Sequence, residues 1–150
     1  MTILSRRKLT LTGVVVLVAA FFGYSHWLQS DLPAQMPSII GRQLKMELTA
    51  EAATQFLHVS QPNGKPTTEE SKRFEEVRQA IEQLEIVSLE RRGWGSAVVA
   101  KARFHLACDW LPDGQDTRYY RLQFSWINGW RLPCGVREQE YQRAWFYLRY

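Results

Sequence analysis

The stretch Ala97-Val98-Val99-Ala100-Lys101-Ala102-Arg103-Phe104-His105-Leu106-Ala107-Cys108-Asp109-Trp110 decides how this chain folds. Its even positions, from Val98 through Phe104 to Trp110, are apolar, while Lys101, Arg103, His105 and Asp109 stand between them. Successive side chains of a strand point to opposite faces, so this alternation predicts one core face and one wet face. That is the pattern of an antiparallel strand. Leu111 to Asp116, with Pro112 and Gly114, is a turn. Thr117–Ile127 alternates again, with Tyr120, Leu122, Phe124 and Trp126 on the core face. A further strand at Glu85–Glu90 precedes these and ends before Gly93-Trp94-Gly95.

The next hairpin sets two rules against each other. A two-residue Asn128-Gly129 turn would place Trp130, Leu132 and Cys134 on the polar face. A three-residue loop, Ile127-Asn128-Gly129 with Gly129 left-handed, restores parity. It pairs Trp126 with Trp130, Phe124 with Leu132 and Leu122 with Cys134. Burying Trp130 and Leu132 contributes several kcal/mol at roughly 25 cal/mol per Å², so the three-residue loop is expected.

Upstream, Thr67 and Glu70 have capping-box spacing, and Phe74, Val77, Ile81 and Leu84 repeat on one face. These predict a helix of about 17 residues lying on the sheet. An earlier helix is expected at 47–60, with Leu48, Ala52, Phe56 and Val59 in one stripe. Gln61-Pro62-Asn63-Gly64-Lys65-Pro66 breaks it. In 137–150, Tyr141, Ala144, Trp145 and Leu148 form a helical stripe. Phe146, Leu148 and Tyr150 also alternate; the composition favours helix.

At the front, Ser5-Arg6-Arg7-Lys8 precedes a nearly unbroken apolar run from Leu9 to Leu28. About twenty helical residues span roughly the 30 Å of a bilayer's hydrocarbon core. Arg6, Arg7 and Lys8 before the run, against Asp31 after it, place the N-terminus in the cytoplasm. Trp27, just outside the most apolar part, suits an interfacial anchor. Two other readings exist: a signal peptide cleaved near Gly23-Tyr24-Ser25, and a twin-arginine export signal at Ser5–Leu9. The run is long for the first, and Thr10 and Leu11 depart from the second. The organisation expected is therefore a cytoplasmic basic segment (1–8), a transmembrane helix (9–28), a linker (29–43) and an extracytoplasmic α+β domain (44–150). Pro33 and Pro37 are the reason for reading the linker, since each biases its predecessor away from helix.

The chain carries a net charge of +4, of which Arg6, Arg7 and Lys8 supply three. The domain itself is thus nearly neutral, which gives no ground for a nucleic-acid partner. Cys108 and Cys134 are the only cysteines. Outside the cytoplasm an even count suggests a disulfide. The predicted register would separate them by about 10 Å, beyond the usual reach. The bond then requires the chain to leave the sheet at Pro133; otherwise both remain buried thiols. His26, His58 and His105 have no second ligand at metal-like spacing, and no nucleophile or phosphate-loop motif appears. The reading is non-enzymatic, with no catalytic residue, cofactor or metal. The C-terminal aromatics exceed what one helix face can bury, which marks Trp145, Phe146, Tyr147 and Tyr150 as partner-binding.

An anchor helix, two helices and a curved antiparallel sheet resemble the membrane-anchored NTF2-like (cystatin-like) domains of bacterial envelope proteins. Thr117–Leu132, a long strand, a short Gly turn, Trp130 and an apolar strand, carries the resemblance. VirB8-like subunits of type IV secretion systems share the plan. The superfamily holds both catalysts and scaffolds. The anchor, the lack of catalytic motifs and the surplus aromatics lead to the expectation of a single-pass inner-membrane subunit or assembly factor whose periplasmic domain holds subunits of a membrane protein complex. Its alternative is a tethered ligand-binding module or enzyme. There, Tyr120, Phe124, Trp126 and Trp130 would line an apolar pocket, with His105 or Asp109 at its mouth.

Overall fold

The computed structural model describes residues 3–57, 66–111 and 114–144, with backbone alone for 3–11 and Pro133. Along the chain run α1 (Ile3–Gln29), α2 (Leu32–Phe56), α3 (Thr68–Glu82), β1 (Glu85–Arg92), β2 (Ala97–His105), β3 (Thr117–Ser125), β4 (Gly129–Gly135) and α4 (Glu138–Arg143). The strands form one antiparallel sheet in the order β1-β2-β3-β4. This is an α+β fold with one long apolar N-terminal helix.

Helix α3 forms where its cap predicts. Thr67 Oγ1 accepts from the Glu70 N–H at 3.2 Å, and the Thr67 N–H donates to Glu70 Oε2 at 2.7 Å. Val77, Ala80 and Ile81 are its buried face. Lys45 on α2 donates to the Glu82 carbonyl at 2.6 Å, placing a cation at the negative end of α3.

The expected linker is not one. Only Ser30 and Asp31 separate α1 from α2, and α2 is helical from Leu32. Leu32, Met36, Ile40, Leu44, Leu48 and Ala52, every fourth residue, are all buried in the core. Pro33 sits in the first turn, where its missing N–H has no intrahelical partner to lose. Pro37 lies inside the helix but faces outward, so its cost is one hydrogen bond, offset by the buried stripe. The predicted 47–60 helix is thus the second half of a longer one, and its expected end at Val59 lies outside the described residues.

Strand β2 ends at His105, earlier than the alternation alone suggests. Leu106 and Trp110 stay in the core, and Trp110 Nε1 donates to Gln55 at 2.9 Å. The β3–β4 loop has the predicted three residues but is shifted by one: it is Trp126-Ile127-Asn128. Ser125 pairs with Gly129 and Phe124 with Trp130. Gly129 takes φ +66°, and the Asn128 N–H donates to the Ser125 carbonyl. Parity survives the shift, so Trp130 is buried and Leu132 packs on the core. Trp126 is the exception, since the shift moves it from the core face to the loop tip, where it is exposed.

A bulge between Arg121 and Gln123 then sets Arg121 opposite Cys134. It turns Cys134 to the outer face, where it is exposed, while Cys108 lies half-buried against the core. The anticipated disulfide is therefore corrected: both are free thiols, directed to opposite sides of the sheet. On that outer face α4 packs through Tyr141 and Ala144 against Val99, with Tyr119 and Val136 alongside. The C-terminal region is thus helical as far as it is described.

Candidate functional site

Two regions of the molecule gather side chains that internal packing leaves partly free. The first is the junction between α1 and the sheet. The last turn of α1 meets both the β1–β2 loop (93–96) and the β3–β4 loop (126–128). Trp130 Nε1 donates to the Leu28 carbonyl at 3.1 Å in a buried hydrogen bond. Gln29 Nε2 donates to the Gly95 carbonyl at 3.1 Å, and Arg91 Nη1 donates to Gln29 Oε1 at 3.2 Å. Gly95 takes φ +74°, and a Cβ added there would stand 3.9 Å from the Oγ of the buried Ser25. Around these bonds lie aromatic rings. Phe22 meets Trp94 edge-on at 4.8 Å, and Trp126 lies 6.2 Å from Tyr24 and 6.1 Å from Trp27. The rim stays open to solvent: Trp27 is 60% exposed, Trp126 70% and Ile127 91%.

The second region is a cleft of about 510 Å³ at the far end of the sheet, between α2 and the start of β3. Glu47 and Glu51 line one wall, Arg118 and Tyr120 another, and Arg137 and Glu138 close the end. Tyr120 Oη donates to Glu47 at 2.8 Å, and Arg118 bridges Glu51 at 3.0 Å. Burial, then the Glu47 carboxylate, pushes the Tyr120 hydroxyl far above its ordinary range. Beside it on the outer face, Arg121 bridges Glu140 and Tyr141 Oη donates to Glu90 at 3.0 Å. Arg92 stacks over the Tyr141 ring at 4.4 Å. Burial, then Glu90, raises the Tyr141 hydroxyl as well. These carboxylates are thus engaged in bonds that hold α2 and α4 to the sheet.

The pocket anticipated from Tyr120, Phe124, Trp126 and Trp130 does not assemble. Tyr120 and Trp130 are core, Phe124 packs edge-on against Trp130, and Trp126 stands outside. His105 and Asp109 are surface residues. Among the described residues no three His, Cys, Asp or Glu side chains gather as a metal site. Trp27 lies in the aromatic rim. The side chains of Arg6, Arg7 and Lys8, and all of Trp145, Phe146, Tyr147 and Tyr150, lie outside the described residues. Sequence reasoning missed the pairing of Trp94 and Trp126 with α1 and the exposure of Ile127 beside them. The available signal was two large apolar residues, Trp126 and Ile127, directly before Asn128-Gly129 at a hairpin tip. No family model, curated protein or solved structure matches this chain.

Proposed function

We propose that this protein is a non-enzymatic, single-pass subunit or assembly factor of a bacterial inner-membrane complex. Helix α1 anchors it with the N-terminus in the cytoplasm, and the α+β domain holds partner proteins on the periplasmic side. The observation that carries this reading is the junction. A helix long and apolar enough to cross a membrane is fixed to the domain by a buried indole bond and two further contacts. The domain's position relative to the span is thereby set, as a docking platform requires. The order of elements, two helices between the anchor and a four-stranded antiparallel sheet, supports an NTF2-like plan. The pairing of Glu47, Glu51 and Glu140 with sheet residues, and of Glu90 on β1 with Tyr141 of α4, supports a structural role for those carboxylates.

Partner capture is assigned to Trp145, Phe146, Tyr147 and Tyr150. Tyr141 and Ala144, just before them, already occupy the outer-face cluster. The test is purification of the full chain from membranes in mild detergent, beside a Phe146→Ala, Tyr147→Ala variant. Stoichiometric membrane partners should accompany the parent chain and be lost from the variant at an unchanged melting temperature. A partner-free parent, or a variant that unfolds, would overturn the assignment. Mass spectrometry of the extracted protein should find residues 9–28 still attached.

A further inference from the structure

From the junction we infer that the β1–β2 and β3–β4 loop tips sit in the interfacial layer of the bilayer that α1 crosses. The inference rests on the anchor reading above. Its occupant is lipid: the boundary between headgroups and acyl chains. The argument is one of depth. The apolar span ends at Gln29, and a helix rises about 1.5 Å per residue. Trp126, held beside Tyr24 and Trp27, therefore lies within roughly 8 Å of that end. Trp94, held against Phe22, lies within about 10 Å of it. Interfacial apolar groups reach about 5–10 Å into this boundary. An indole prefers the same depth, with its ring in the apolar region and its N–H in the wet one.

Exposure and charge agree with that placement. Ile127 is the most exposed large apolar side chain at the tips, so burial among the described residues does not account for an isoleucine there. Arg91, bonded to Gln29 at the end of the span, stands where anionic headgroups lie. Asp31 is the carboxylate nearest in sequence to this end of α1. Two loops far apart in sequence thus converge on the last two turns of α1. The domain would ride on the membrane face with a fixed tilt instead of swinging from a tether.

The test is spin-label depth measurement on the full chain in vesicles of phosphatidylethanolamine and phosphatidylglycerol. Single labels go at Ile127→Cys, Val16→Cys and Val87→Cys, with Cys108→Ser and Cys134→Ser as background. Val16 reports the anchor, and Val87, exposed on β1, reports the aqueous domain surface. The Val16 label should collide with dissolved oxygen and be shielded from a water-soluble nickel chelate. The Ile127 label should show several-fold higher oxygen-to-nickel accessibility than Val87. If Val16 is deep and Ile127 matches Val87, the tips are not in lipid and the inference falls while the anchor stands. If Ile127 is shielded from both reagents, a protein surface covers it, and the inference also falls. A water-accessible Val16 removes the anchor, and the inference with it.

Discussion

Helices α1 and α2 are nearly equal in length, 27 and 25 residues, and are joined by two residues, yet they present opposite surfaces. In α1 the apolar residues run all round, and between Thr12 and Gln29 only Ser25 and Leu28 are buried in protein. In α2 they recur every fourth residue, and each member of the stripe from Leu32 to Ala52 is buried. Apolar content decides whether a helix leaves water, and periodicity decides which side of it a protein covers. The junction residues Leu28, Gln29 and Trp130 are where one regime passes into the other.

The sharpest way to break this contrast is to truncate one residue in each helix. Leu48→Ala opens a cavity in a fully buried site, so it should cost about 3 kcal/mol in thermal unfolding of the detergent-solubilised chain. Val16→Ala should change stability by less than about 0.5 kcal/mol. Equal effects would mean that α1 is packed against protein after all. Next comes the joint. Trp130→Phe removes the bond to the Leu28 carbonyl and leaves that acceptor buried, which should cost about 2 kcal/mol.

Smaller effects probe the sheet side of α2. Tyr120→Phe removes the donor to Glu47 and should cost about 1 kcal/mol. The Tyr120 hydroxyl is held neutral in the fold, its titration raised above the ordinary value of 10.0. Its contribution is therefore whole below about pH 10 and is lost as pH rises further, because the unfolded chain ionises first. Alkaline unfolding followed by circular dichroism should be less steep in Tyr120→Phe; Tyr119 and Tyr141, raised in the same direction, retain part of the slope. The smallest change is expected on the outer face. Cys134→Ser should shift stability by less than about 0.5 kcal/mol. In the parent chain, Cys134 should take maleimide without reductant and faster than Cys108. A requirement for reductant would restore the disulfide.

Much of the sheet was legible because local chemistry and tertiary demand agree there. The alternation in Ala97–His105 and Thr117–Ser125, the Thr67–Glu70 cap and Gly129 each has a direct physical reading. The first half of α2 was not read, although Leu32, Met36, Ile40 and Leu44 carry the spacing, because Pro33 and Pro37 argued locally against helix. That rule concerns an isolated chain; burial of the whole stripe outweighs one lost hydrogen bond. Of the proposed site, Trp27 was visible as an interfacial residue, whereas Trp94 and Trp126 were not, since their position is fixed by contacts with a helix about seventy and a hundred residues away.

By itself, then, the sequence determined the α+β class, the apolar front helix, the α3 cap and the inner face of the central strands. These follow from periodicity, composition and capping, all interactions within a few residues. The tertiary structure alone decided the reach of α2, the exit of Trp126 to the loop tip, the outward turn of Cys134 and the fastening of both loops to α1. A one-residue shift of a turn or a single bulge changes little locally but reverses which face a side chain meets. Only packing against the rest of the molecule selects among registers so closely balanced.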